Sequence, residues 1–401
     1  MSENATSPGL AAGFAEERLT EVRRAFPILS RVCYLNTGTY GPMPEPALQT
    51  LLHATECLER DGVASSYPFA DEAREVRRML AALIGAGVGE IALTRNATDG
   101  INLGLAGLSW RAGDEIITTT EEHEAVWQPL LHLQQTAGVR VHRMEPLPEP
   151  DDMLRQLNRL RSDRLRLVVF SHVSCETGVR VEPQSICRWA REHGALSLVD
   201  VAQSCGAVPV SVESMGCDML TGNGHKWLHG PKGTGFFYAR GILMSKLVPR
   251  HVGAGSFKCA AMDAGTGLLW ETGERFEYGT RPYALMAGWK SSLECMAGLG
   301  AANVTEHVLA MSGRLMEALG RLPYVRVLTP SGSDRRAGMV SFTVDGQDAG
   351  LLGQRLWQEH SIVTRHVPRK NAVRVSAAHF TSHADVEKLE TALKDILESG
   401  N

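Results

Sequence analysis

The feature that most limits what this chain can fold into is an alternation that begins at Ile91. Short apolar runs fall at Ile91–Thr94, Glu115–Thr119, Val139–Arg143, Leu165–Ser171, Leu196–Asp200 and Met219–Thr221. Segments of helical periodicity separate them, near Asp99–Leu108, Ala125–Ala137, Asp152–Arg161 and Pro183–His193. Strands that alternate with helices pair in parallel, because each helix supplies the crossover and then covers one face of the sheet. The expected fold is therefore α/β, with a mostly parallel sheet covered by helices. In such sheets ligands bind beyond the carboxyl ends of the strands.

That rule selects a set of residues. Just past successive strands stand Arg95-Asn96-Ala97-Thr98, Glu122-His123, His172 to Cys175, Asp200 to Gln203, and Asn223 to Lys226. Polar and ionisable groups at successive strand ends can be collected by one crevice. Lys226 lies in the stretch DMLTGNGHKWLHGPKGTGFFY, among glycines 222, 224, 230, 233 and 235, so the backbone can fold tightly around a bound group. A lysine in a crowded pocket loses its charge easily, which is the condition for forming an imine with a carbonyl. Taken alone, the His-Lys pair reads as a surface lysine in a loop.

The rest of the chain sets limits. With 401 residues there is room for a large domain and a smaller one, expected at 31–281 and 282–401 after an N-terminal segment at 1–30. The first residues, MSENATSPGLAAG, are small and polar and are expected to be frayed. Helices are expected at Ala15–Ala25 and Ala70–Ile84, and a brief strand at Val32–Leu35. That strand runs into Asn36 to Pro42, a loop that can present Thr37 and Tyr40 to a substrate or be a plain turn.

After Gly279 a long helical region, Pro282–Leu319, leads into alternating strands and helices. The strands are expected at Val325–Leu328, Gly338–Val344, Ile362–Arg365 and Ala372–Ser376, the helices at Ala349–Glu359 and His383–Glu398. A net charge of -4 gives no reason to expect nucleic acid, and the basic run Arg155 to Arg166 has the spacing of a solvated helix face. No apolar run is long enough to span a bilayer. The eight cysteines form no CxxC pair, no metal site is expected, and with no signal peptide the expected compartment is the cytoplasm.

A crevice with this lysine suits pyridoxal phosphate, which needs a Lys for its imine, an acid for its ring nitrogen and donors for its phosphate. Asp200, at the end of an apolar strand, can be that acid or can cap the next turn. Thr98 and the amide of Ala97 open a helix, where exposed amides and the positive helix end suit a phosphate. His123 can stack on a ring, assist proton transfer or be structural.

Taken together, Asp200-Val-Ala-Gln203, Gly224-His-Lys226, Gly230 to Gly235, Glu122 to Val126 and Ser171-His-Val173 resemble the class V aminotransferase family. The likeness is nearest its cysteine desulfurase, cysteine lyase and isopenicillin N epimerase branches, and runs from about Leu35 to Leu389. It implies a pyridoxal 5'-phosphate fold of type I with a smaller α+β C-terminal domain. It further implies Lys226 as the Schiff-base lysine, Asp200 as the ring-nitrogen partner and His123 as the stacking residue. Gln203 is implied as donor to the cofactor's 3-hydroxyl, with His225, Thr98 and Ala97 on the phosphate and Asn223 where relatives carry a phosphate-binding Ser.

Arg275 to Pro282 resembles the stretch whose Thr, here Thr280, reaches the phosphate of a neighbouring subunit, so a homodimer with shared sites is implied. Arg374 matches the arginine that grips a substrate carboxylate. Two departures bear on the reaction. Desulfurases carry a catalytic Cys before that arginine, whereas Ser361 to Arg374 contains none, and Cys175 stands where they have an Asn.

The expected activity is β-elimination that breaks a carbon–sulfur bond in a cysteine S-conjugate or sulfoxide, giving a thiol, pyruvate and ammonia. Epimerisation, decarboxylation or transamination of an amino acid is the alternative on the same scaffold. Tyr40, Trp127, Trp227 and Trp270 are candidates for an apolar pocket wall.

Overall fold

The computed structural model describes residues 13–65 and 67–398, so the expected frayed tail lies outside the described residues except for Gly13. Its centre is a seven-stranded sheet. The strand order is Ile91–Thr94, Gly235–Ala239, Met219–Asn223, Leu196–Asp200, Leu165–Ser171, Glu115–Thr119 and Arg140–Met144. Gly235–Ala239 alone runs antiparallel to its neighbours. This strand was not expected from the sequence. Gly235 permits it: a Cβ there would lie 2.5 Å from Asn96 Cα, so the strand enters where the turn after Thr94 leaves no space.

The two faces bury different cores. On one, Leu167, Val169, Leu198, Met219 and Phe237 meet Ile101 and Leu105 of helix Ala97–Gly107 and Val126 and Leu130 of helix Glu124–Ala137. On the other, Val168, Phe170, Val199, Leu220 and Phe236 meet Met153 and Leu157 of helix Pro150–Leu160 and Ile186 of helix Pro183–Glu192. Each fully buried Leu, Ile or Phe contributes about 1.5–3 kcal/mol. Burial on both sides explains why these strands read as continuous apolar runs.

The long C-terminal helical region is interrupted at Gly300, whose φ of 82° separates Tyr283–Leu299 from Ala301–Gly320. An antiparallel four-stranded sheet follows, in the order Val325–Val327, Met339–Val344, Ala372–Ser376, Arg365–Val367. Helices Ala349–His360 and His383–Glu398 cover it through Leu352, Leu356, Leu389 and Leu393. Cys33–Tyr34 pairs in parallel with Ile362–Val363, and Cys33 and Leu35 lie in this same core. We propose that the units follow their cores, so that residues 33–35 belong with 282–401 rather than with the rest of 31–281. An exposed hairpin, Phe257–Ala261 with Thr266–Leu269, was also not expected from the sequence.

Candidate functional site

Lys226 follows the end of strand Met219–Asn223 and is buried. The Asn36–Pro42 loop closes over its backbone. Gly41 donates its amide to the His225 carbonyl at 2.8 Å, and a Cβ on Gly41 would fall 2.0 Å from the Lys226 carbonyl oxygen. A glycine is therefore required there. Among the described residues the Lys226 amine has no hydrogen bond or ion pair. Burial pushes its pKa from 10.5 down to about 8, with Asp200 pulling it up and Arg374 pushing it further down.

Asp200 ends its strand with one carboxylate oxygen accepting the Ala202 amide at 2.8 Å. Burial raises its pKa, opposed by that hydrogen bond and by the nearby Lys226. Beneath it Glu122 accepts from Thr119 Oγ1 at 2.6 Å, Ser171 Oγ at 2.6 Å and the Ser171 amide at 3.0 Å. Burial nevertheless pushes Glu122 up to about 7. His123 caps helix Glu124–Ala137, its Nδ1 accepting the Ala125 amide at 3.0 Å. His123 is exposed. Desolvation of its packed side, with Lys226 and Arg374 close by, lowers its pKa to about 4, so it is neutral in ordinary buffers.

The helix Ala97–Gly107 begins after Asn96, whose side chain accepts the Asp99 amide at 2.9 Å. The Ala97 amide, expected to face a phosphate, donates instead to Asn223 Oδ1 at 2.9 Å. Asn223 thus ties the helix start to the strand that leads to Lys226, while Thr98 remains on the first turn. His225 leaves Nδ1 buried and unpartnered, and its pKa is lowered to about 4 by burial and by Lys226. Gln203, expected to meet a ligand hydroxyl, donates Nε2 to the Gly38 carbonyl at 2.9 Å and accepts from Trp227 Nε1 at 3.1 Å. Trp227 is a buried core residue rather than a pocket wall. Thr280 lies in an exposed stretch with Tyr278 and Gly279.

Arg374 comes from the C-terminal sheet and reaches the same place. It is buried, donating Nη1 to the Cys175 carbonyl at 2.6 Å and Nη2 to Thr39 Oγ1 at 3.1 Å, and no carboxylate of the described residues pairs with it. Of the loop residues Thr39, which the sequence did not single out, makes this contact. Thr37 is buried with an unpartnered hydroxyl, and Tyr40 is exposed. Cys175 lies within electrostatic reach of Lys226 and Arg374, yet burial raises its thiol to about 11. Cys205 is in the core and Cys259 on the exposed hairpin.

Arg365 is also a site residue that the sequence did not reveal. It stands directly opposite Arg374 across an antiparallel pair, and its charge acts on Lys226, His123 and Arg374. Like charges directly opposite are destabilising, so the pairing is poorly explained by stability alone. The turn after it is tied to the large unit by Arg369–Glu176 and Lys370–Glu121 ion pairs, each 2.8 Å.

The groups fit one kind of guest. A buried, unpaired amine, a buried carboxylate beside it, a neutral imidazole on the open side and an unpartnered His225 Nδ1 suit a flat aromatic aldehyde with an anionic tail. Two arginines beside the amine suit carboxylates.

Comparison with known proteins covers most of the chain. A family model described as aminotransferase class-V matches residues 50–389. A "probable cysteine desulfurase 2" of Mycobacterium leprae is 32% identical over 84% of this chain and 84% of its own length. A "cysteine desulfurase" of Escherichia coli (strain K12 / DH10B) is 29% identical over 94% of this chain and 97% of its own. Among solved structures, the complex of the cystine C-S lyase C-DES with its reaction product cysteine persulfide aligns with a TM-score of 0.86 at 28% identity. It covers 92% of this chain and 99% of that one. A C-DES mutant with glycine covalently linked to the PLP cofactor aligns equally well, with 93% of this chain covered.

Proposed function

The chain belongs to the class V aminotransferase family, and from that premise we propose that it is a pyridoxal 5'-phosphate-dependent carbon–sulfur lyase acting on cysteine derivatives by β-elimination. The observation that carries this reading is the buried Arg374 without a carboxylate of its own, set beside the unpaired amine of Lys226. The proposed roles are as follows. Lys226 holds the cofactor's aldehyde carbon, Asp200 its ring nitrogen and His123 its ring face. Thr98, Asn223 and His225 surround its phosphate together with the helix start at Ala97, and Gln203 lies by its hydroxyl. Thr280 completes the phosphate site of a second copy, which makes the working unit a homodimer.

When bound, the cofactor supplies an electron sink for the pair left at the amino acid's α carbon. The remaining work falls to the chain. Arg374 takes the substrate carboxylate in a bidentate pair, with Thr39 and the Cys175 carbonyl fixing the guanidinium plane. Lys226, once the substrate's amino group had displaced it from the cofactor, would be the base for the α proton, a role suited to an amine that burial acidifies to about 8. The carbon–sulfur bond then breaks, sulfur leaves with the bonding pair, and water converts the three-carbon remainder to pyruvate and ammonia. The segment Ser361 to Arg374 carries no cysteine to accept sulfur, and a thiol raised to about 11 at Cys175 is a weak nucleophile.

Arg365 supports a finer reading. An exposed cation beside the carboxylate-binding arginine favours a substrate whose sulfur carries a second carboxylate, as the disulfide cystine does. The proposed compartment is the cytoplasm; among the described residues no helix is long and apolar enough to cross a membrane.

The test is pyruvate release from cystine, an S-alkyl cysteine and a cysteine sulfoxide. Pyruvate with cystine preferred is expected. Deuterium entry at the α carbon without pyruvate would make the enzyme an epimerase, and carbon dioxide release would make it a decarboxylase.

A further inference from the structure

The sheet's other face carries a second cavity, of about 440 Å³, away from the helices that border the Lys226 crevice. It opens where helices Pro150–Leu160 and Pro183–Glu192 begin, and the C-terminal unit closes it with Asp334 and Arg335. His172 and Arg180 form its polar floor. His172 immediately follows strand Leu165–Ser171, and its side chain continues the alternation of Val168 and Phe170, pointing away from Asp200.

The hydrogen bonding of this floor is incomplete. Arg180 donates Nε to His172 Nε2 at 3.3 Å, so the ring is an acceptor at Nε2 and carries its hydrogen on Nδ1. His172 is 1% exposed, and its Nδ1 has no partner. The terminal nitrogens of Arg180 have no carboxylate among the described residues, since Asp334 acts on it only from beyond ion-pair distance. The other charges here are already engaged. Arg335 pairs with Glu149 at 2.6 Å, and Glu182 caps its helix by accepting the Gln184 and Ser185 amides at 2.7 and 2.8 Å.

We propose that this cavity is a ligand site separate from the catalytic crevice, and that it takes a small carboxylate. The open guanidinium fork of Arg180 matches a carboxylate bidentately, and His172, by accepting from Arg180 Nε, holds that fork in place. The volume lies in the range of small-molecule sites. The site also touches the catalytic strand ends through the backbone, because the His172 amide donates to the Asp200 carbonyl at 2.9 Å. Both units line it, and Arg180 donates its amide to the Arg335 carbonyl at 2.8 Å.

The test is isothermal titration of pyruvate into the holoenzyme of Arg374→Gln, which removes the carboxylate ligand of the crevice. One saturable site per chain is expected to remain. Adding Arg180→Gln should weaken it at least about tenfold, with circular dichroism and melting unchanged. His172→Asn, which keeps a side-chain acceptor for Arg180 Nε, should bind more tightly than His172→Leu. No saturable binding in Arg374→Gln would overturn the proposal and leave the cavity to water. Binding untouched by Arg180→Gln would overturn it as well.

Discussion

Replacing Lys226 by Met should stabilise the cofactor-free protein while abolishing its activity. The magnitude follows from the burial of the amine. A pKa lowered from 10.5 to about 8 means that holding the ammonium form in the fold costs stability below pH 8. At about 1.4 kcal/mol per tenfold change in acidity, the cost is roughly 3 kcal/mol at pH 7. Because the folded-state pKa is the lower one, the cost shrinks as pH rises from about 8 to 10.5 and is absent above.

Met keeps an unbranched stem without the charge, and such a swap costs under about 1.5 kcal/mol in repacking, so a net gain of roughly 2 kcal/mol remains. Asp200 loses an attractive neighbour and Arg374 a repulsive one, and these effects oppose each other. The assay is urea unfolding of both apoproteins at pH 7 and at pH 10, where the difference between variant and wild type isolates Lys226 from the other titrating groups. A variant no more stable than wild type at pH 7, or an advantage that grows toward pH 10, would refute the reasoning.

Other expectations concern neighbouring groups. Arg374→Gln removes a buried charge-assisted fork and should lower kcat/KM by roughly a hundredfold, about 3 kcal/mol, with the cofactor absorbance retained. Arg365→Ala should lower kcat/KM for cystine about tenfold and leave that for an S-alkyl cysteine nearly unchanged, a split that competition assays read directly. Acid should unfold the protein early. His172, His225 and His229 are held neutral by burial at about 3, 4 and 4, below the usual 6.5, so the unfolded chain takes up their protons first. Glu122, raised by burial to about 7, opposes this in the same range, but three histidines outweigh one carboxylate, so stability should fall as pH drops from 6.5 toward 4, seen as a declining urea midpoint; a flat profile between pH 7 and 5 would contradict it.

Much of the large sheet was legible because strands buried on both faces leave continuous apolar runs. Four of them, Ile91–Thr94, Glu115–Thr119, Leu165–Ser171 and Leu196–Asp200, have the bounds that the sequence suggests. Gly235–Ala239 was hidden because it sits in a glycine-rich stretch that also serves the loop, and because an antiparallel insertion breaks the strand–helix rhythm. Residues near Lys226 along strand ends could be anticipated from the rule for parallel sheets. Those from the C-terminal unit could not be inferred from that rule: Arg365 gains meaning only once the register sets it against Arg374. The choice between Thr37 and Thr39 depends on side-chain direction in an irregular loop, which periodicity does not report. The loss of the Ala97 amide to Asn223 is likewise a tertiary contact between residues far apart in sequence.

The most direct test of the central claim is borohydride reduction of the purified protein followed by peptide mapping. A visible-edge absorbance band that bleaches on reduction, with a phosphopyridoxyl group fixed on the peptide containing Lys226 and lost in Lys226→Ala, is the predicted result. A band that survives in Lys226→Ala, or a label on the exposed Lys232 instead, would contradict the account.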